Sequence, residues 1–339
     1  MKRPGIFAGL LLVFVLASIK GSQVTEPRAV ASGTNTRPRL DGRTLIPLAT
    51  ARGSVTQAGQ ARGGEATRST RTLNIVTEPG AIVWLDEIRR GTTDAEGRLV
   101  LSNVASGAHN LRVRANGFKE TAQPVAATAR GEIRVRLLRT TDQAELLFQQ
   151  AESARDSAKS ADDREKSAEL YRQAVRTRAA YPAAHVGLAR ILLDTGNTDG
   201  ALGEIETARR YRPSYPEASA VEGRVYREMG QTDDAIGSFN RAIRESHGFQ
   251  PEAHVGLGRS YEERGQYDLA AREFQIAVNQ LADTEPIIYQ LLGAAYEKSG
   301  NTKEAIAAYE NYLRLAPNGS QASAVRSIIE QLKSEQPEN

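Results

Sequence analysis

The chain has 339 residues, of which 40% are hydrophobic and 25% charged. It is too long for one core of ordinary size and too polar for a multi-span membrane protein. It holds no cysteine and four histidines, which excludes disulfides, thiolate metal sites and a cysteine nucleophile. The net charge of +3 hides a division. Residues 1–139 carry 21 Lys/Arg against 10 Asp/Glu, and residues 140–339 carry 23 against 31. A basic front and an acidic back point to different partners for the two halves.

Lys2 and Arg3 precede an uncharged apolar run from Ile6 to Ile19. Its 14 residues fall short of the roughly 20 that a spanning helix needs, and they match the apolar region of a secretory signal. Cleavage before Ser18 and retention as an anchor, with Lys20 just behind, are both open. Either outcome predicts an exported protein, periplasmic or attached to the cell envelope. Residues 21–70 hold seven Arg and three acids. With few large apolar residues, this stretch reads as a basic linker. An anionic lipid or wall polymer is the partner its charge would suit. Arg62-Gly63-Gly64 is similar to RNA-binding arginine–glycine segments, but one copy without interleaved aromatics, behind an export signal, argues against nucleic acid.

Residues 71–139 read as a small β domain. Leu73 and Ile75 alternate with polar neighbours. Ala81–Leu85, Arg98–Leu101, Asn110–Arg114 and Glu132–Leu137 follow as further strands, punctuated by Gly91, Gly97, Gly107 and Gly117. Short strands with glycine turns predict an antiparallel sandwich. If one face is buried, Arg112, Arg114, Arg134 and Arg136 face outward as a basic stripe, a candidate for surface binding or simply for solubility and edge protection. Glu78-Pro79-Gly80-Ala81, the turn Asp86-Glu87, Gly91-Thr92, Gly107-Ala108-His109 and Gly117-Phe118 resemble a PEGA domain. Thr93 to Gly107 with Gly117-Phe118 is also similar to the carboxypeptidase regulatory-like sandwich. Both resemblances imply a β-sandwich on an exported bacterial protein, with an attachment or spacer role. His109, between two strands, reads as structural or solvent-exposed.

The back half repeats. Leu188-Ala189, Glu222-Gly223, Leu257-Gly258 and Leu292-Gly293 recur at intervals of 34, 35 and 35 residues. In register with them come Leu192, Tyr226, Tyr261 and Tyr296, then Gly196, Gly230, Gly265 and Gly300. Ala201, Ala235, Ala270 and Ala305 follow, then Ile205, Phe239, Phe274 and Tyr309. This pattern resembles the tetratricopeptide repeat. Repeats are expected at 182–215, 216–250, 251–285 and 286–319. A degenerate copy at 142–181 lacks the loop glycine, and an amphipathic capping helix is expected at 320–335. The fold class is therefore a small antiparallel β-sandwich followed by an α-helical solenoid.

The resemblance implies a concave groove that holds a partner protein or peptide. Arg190, Arg224 and Arg259 occupy one equivalent helix position and would form a ladder along it; Arg227 and Glu262 lie nearby. Guanidiniums in such a ladder would clamp carboxylates. Alternatively, each arginine neutralises the acid four residues on: Asp194, Glu228 or Glu263. His185 and His254 sit too far apart for one metal site and read as packing residues. There is no Gly-rich phosphate loop, Ser-His-Asp set or metal-spaced cluster, so neither a cofactor nor catalysis is expected. The leading reading is a non-enzymatic envelope scaffold that binds a partner in the groove. The alternative is a wall-polymer or carbohydrate-binding protein acting through the basic sandwich face, with the repeats serving self-association.

Overall fold

The computed structural model describes residues 70–281 and 283–335. The expected signal and nearly all of the basic linker lie outside them. Seven strands come first: β1 Thr70–Val76, β2 Ile82–Leu85, β3 Ile88–Thr92, β4 Arg98–Ala105, β5 His109–Arg114, β6 Thr121–Val125 and β7 Gly131–Arg134. They form two sheets, ordered β4-β1-β7 and β3-β2-β5-β6. Every pairing is antiparallel except β1 with β7, which is parallel.

Alternation builds this sandwich. β1 turns Leu73 and Ile75 inward and leaves Thr72 and Asn74 outside. Val83, Leu85, Leu101, Leu111 and Val113 complete the core between the sheets. Each such side chain contributes about 1.5–3 kcal/mol by leaving water. Arg71 is the exception on the buried face of β1. Its two terminal nitrogens donate to the carbonyls of Ala126, Ala127, Ala129 and Gly107, so backbone acceptors offset much of the cost of burying the charge. The hairpin between β2 and β3 turns through Asp86 and Glu87 at φ 52° and 64°. His109 holds it: Nδ1 lies 2.6 Å from the Asp86 carboxylate and Nε2 lies 2.8 Å from the Ala105 carbonyl.

The strand expected over 132–137 ends at Arg134. β3 and β6 were not expected; one holds Arg89, Arg90 and Gly91, the other Pro124, and both are edge strands. A proline is tolerated there because an edge strand need not donate on its free side.

Eleven helices follow among the described residues. They are α1 Gln143–Ser157, α2 Ala161–Thr177, α3 Pro182–Asp194, α4 Thr198–Tyr211, α5 Pro216–Glu228 and α6 Thr232–Glu245. Then come α7 Pro251–Glu263, α8 Tyr267–Leu281, α9 Pro286–Lys298, α10 Thr302–Leu315 and α11 Ala322–Ser334. α3, α5, α7 and α9 each begin with proline, whose fixed φ suits the first turn and whose missing N–H is not needed there. The same helices are followed by Gly196, Gly230, Gly265 and Gly300, all at φ between 69° and 81°. The left-handed conformation lets Asn197 N–H reach back to the Leu192 carbonyl at 2.8 Å, with Gln231 repeating the bond to Tyr226. Between α1 and α2 no glycine is required: Ser160 and Asp163 form a capping box instead.

Rings against glycines fix the stacking. The Tyr171 ring lies where a Cβ on Gly187 would be 2.3 Å away. The Phe239 ring fills the space left by Gly223 and by Gly256 of the following pair, Phe274 that of Gly258, and Tyr309 that of Gly293. One ring thus locks its own helix pair and, where the next pair offers a glycine, that one too. α11 buries Val325, Ile329 and Leu332 against α10 and closes the array.

Candidate functional site: the groove of the helical array

The odd-numbered helices touch their next-but-one neighbours, α1 to α3, α3 to α5 and α5 to α7, which places them on the inner face of the curve. Arg190, Arg224 and Arg259 all sit there, but they do not form one ladder. Arg190 of α3 donates to Glu252 of α7 at 2.8 Å, reaching across α5. Arg224 of α5 lies 3.7 Å from the same Glu252 and 3.3 Å from Asp194 of α3. Arg259 joins a second group instead, 3.4 Å from Glu262. Arg227 belongs to that group, 3.2 Å from Glu228 and 3.6 Å from Glu263. At α9 the equivalent position is Ala294, and the arginine series ends.

The pairings are mostly between repeats rather than four residues along one helix. Burial works to raise the Glu252 pKa, but Arg190 and Arg224 outweigh it and hold the carboxyl below its ordinary value. Glu263 shows the reverse: burial pushes it up, and the neighbouring Glu228 adds to the push that Arg227 opposes.

A third cluster joins the sandwich to the array. Arg114 of β5 lies 3.3 Å from Glu152 of α1 and over the Phe148 ring. Arg89 of β3 pairs with Asp156 at 3.3 Å. Gln149 donates to the Phe118 carbonyl at 2.7 Å and accepts from Gly117 N–H at 2.9 Å. Arg155 and the Tyr171 hydroxyl also bind Glu152. Burial would raise Glu152, yet Arg155, Arg114 and that hydroxyl hold it at about 2. Arg190 is close enough to contribute to both the Glu152 and the Glu252 fields. Charges therefore run from the sandwich into the groove.

This placement corrects the expected basic stripe. Arg112 and Arg114 belong to the four-stranded sheet, while Arg134 lies on β7 of the other sheet, with Arg136 just beyond it. Arg112 covers Trp84 at 4.2 Å and pairs with Glu87 and Glu120. The Arg114 side chain is only 11% exposed. Arg134, 80% exposed beside Glu132, and Arg136 are the two of the four that face solvent fully. The reason is the docking of α1, which covers one end of the four-stranded sheet.

Sequence reasoning missed Glu152, Glu252 and Glu222. Only Glu222 left a signal, since it occupies a leucine position of the repeat. It is buried on α5 and takes bonds from Arg209 at 3.0 and 3.2 Å, from Ser238 at 2.9 Å and from Arg241. A cleft of about 330 Å³ opens beside it, lined in part by Arg241 and Arg244. A second, of about 300 Å³, lies between the sandwich and α1. His185 and His254 are buried as expected, and each also meets a carboxylate, Glu204 at 2.6 Å and Glu273 at 2.7 Å. Among the described residues no cluster of His, Asp or Glu could hold a metal ion, and no helix is long and apolar enough to cross a membrane.

The tetratricopeptide repeat family matches residues 158–225, 221–286 and 286–318. No curated protein matches the chain in sequence. Among solved structures, the Cut9–Hcn1 hetero-tetramer of the APC/C is similar at 17% identity over 59% of this chain, with a TM-score of 0.49. This chain spans 38% of the length of that one. A thermophilic tetratricopeptide repeat protein of Thermus thermophilus is similar at 20% identity over 56% of this chain and 99% of its own, with a TM-score of 0.46. YrrB, described as a tetratricopeptide repeat protein with an unusual peptide-binding site, is similar at 16% identity over 56% of this chain and 94% of its own, with a TM-score of 0.39. The matches to the tetratricopeptide repeat family span the helices from α2 to α10.

Proposed function

We propose that the chain is a non-enzymatic scaffold of the cell envelope that holds a partner protein or peptide in the groove of its repeats. The observation that carries this reading is the inner face itself. Arg190, Arg224, Arg227 and Arg259 stand on it with part of their surfaces open to solvent. Acids from neighbouring helices hold Arg190, Arg224 and Arg227 in place, and Glu262 of its own helix holds Arg259. Guanidiniums fixed in this way lose little freedom on meeting a ligand. The sandwich is a PEGA-like spacer fixed to the first helix, so whatever it contacts is held at a set distance from the groove. Export and envelope attachment are part of the proposal. Their support is the apolar run Ile6–Ile19 behind Lys2 and Arg3.

The test is the triple variant Arg190→Gln, Arg224→Gln, Arg259→Gln in the full chain. Partner recovery after cross-linking in the native envelope should be lost while helical circular dichroism is retained. Recovery of the same partner at wild-type yield would overturn the groove as the binding site.

A further inference from the structure

Glu252 is one carboxylate shared by two guanidiniums. It stands in the first turn of α7, with Arg190 at 2.8 Å and Arg224 at 3.7 Å. The three side chains come from three helix pairs and meet over the groove floor. Their side chains remain 23%, 24% and 30% exposed for Glu252, Arg190 and Arg224, so the cluster is reached from solvent. The apolar contacts that join successive pairs include rings against glycines and the cluster of Val186, Ile205, Tyr215 and Val221.

A planar guanidinium recognises a carboxylate by its geometry, whatever chain the carboxylate belongs to. An acidic side chain or a C-terminal carboxylate entering the groove here would meet donors already occupied by an equivalent group. Of the neighbouring acids, only Asp194 pairs directly with one of these two guanidiniums, 3.3 Å from Arg224. Glu152 is engaged by Arg155 and Arg114, and Glu262 by Arg259. Glu252 also has somewhere to go: at the start of a helix a solvated carboxylate is favoured by the backbone dipole.

We infer that Glu252 is an internal stand-in for the ligand, and that an acidic peptide binds the groove by displacing it from Arg190 and Arg224. This rests on the groove being the partner site and gives that partner its chemistry. The exchange replaces one carboxylate by another, so the free protein pays a competition cost: the apparent dissociation constant is the intrinsic one divided by the fraction of time the seat is empty.

The experiment uses the full chain and a fluorescein-labelled dodecapeptide of alternating aspartate and glycine, with a lysine–glycine peptide as control. Glu252→Gln should bind the acidic probe about tenfold more tightly than wild type, with the gain shrinking at high ionic strength. Glu252→Asp, which keeps the charge but shortens the reach, should gain less. Adding Arg190→Gln or Arg224→Gln to Glu252→Gln should remove the gain. Melting curves check that each variant folds, and Glu252→Asp carries the test if Glu252→Gln does not. If neither Glu252 variant improves binding of the acidic probe, the stand-in is overturned while the groove reading survives. If the gain appears but persists without Arg190 and Arg224, the seat lies outside the groove and that reading fails as well. An equal gain for the lysine probe would also overturn the inference.

Discussion

The pair α5–α6 and the pair α7–α8 close the same seam with opposite chemistry. In α7–α8 the seam holds His254 on the first helix, Leu257 one turn later, and Glu273 on the second helix. In α5–α6 the equivalent residues are Ser219, Glu222 and Ser238. The carboxylate has moved from the second helix to the first, and its partner has changed from histidine to arginine. The pair α3–α4 follows the first pattern, with His185, Leu188 and Glu204. The change has a structural effect. A histidine–glutamate contact joins the two helices of one repeat, whereas Glu222 draws Arg209 across from α4 and so binds two successive repeats together. The repeat pattern fixes where the seam lies and leaves open which polar set fills it.

The comparison breaks most severely at Glu222. Glu222→Ala leaves Arg209 and Arg241 facing each other without their shared carboxylate, and it should cost about 3–5 kcal/mol in denaturant unfolding. Replacing Glu222, Arg209 and Arg241 together by Leu, Met and Met should recover most of that loss. Loss without recovery would mean that the cluster also shapes the helix packing. The glycines sharpen the picture next. A Cβ on Gly258 would fall 2.4 Å from the Phe274 ring, so Gly258→Val should cost roughly 1–3 kcal/mol or more. Gly237 of α6 has open space around its missing Cβ. Gly237→Ala should therefore stabilise the chain by about 0.8–1 kcal/mol.

Two smaller effects depend on pH. Burial raises the Glu285 carboxyl to about 7 from 4.5. The stability of a raised carboxyl is fully present below its unfolded value of 4.5 and is lost as pH rises from there through about 7. Glu285→Gln should then be neutral near pH 4 and stabilising by about 1 kcal/mol at about pH 8, after allowing for solvent screening. For His185, burial lowers the pKa, but the hydrogen bonds to Glu204 and to the Ala179 carbonyl outweigh it, and the net shift is upward from 6.5. Its contribution is full below the unfolded value and fades as pH rises through the folded one. Melting of His185→Gln should therefore fall further below wild type at about pH 6 than at about pH 9. The arginine-held seam at Glu222 should show no such slope near neutrality, because arginine does not titrate there.

Much of the helical fold was legible because Leu188, Leu257 and Leu292, with the loop glycines Gly196, Gly265 and Gly300, recur at fixed spacing. Alternation likewise located β1, β2, β4 and β5. β3 and β6 were not legible, since Arg89-Arg90-Gly91 and Pro124 read as breaks; edge strands escape the constraints that make central strands recognisable. The parallel pairing of β1 with β7 is set by the closure of the sandwich. The groove arginines were found by register, yet their partners were not. Asp194 stands four residues after Arg190 and is the obvious neighbour along a helix. The curvature of the array instead brings Glu252, from two helix pairs further on, to Arg190. Register within a repeat is written locally, whereas superhelical curvature is the sum of many small packing choices.

β1 receives the chain at Thr70 and is bonded on both sides, to β4 and, in parallel, to β7, from which the chain leaves at Arg134 towards the helices. A pull on the chain before Thr70 against the chain after Arg134 would draw β1 from its start and β7 from its end. Parallel neighbours drawn in this way slide past each other, so their hydrogen bonds share the load together and do not open one at a time. The buried Arg71 guanidinium adds an anchor at the point where the load enters. The pairing of β1 with β7 is thus arranged to resist tension between the two ends of the sandwich.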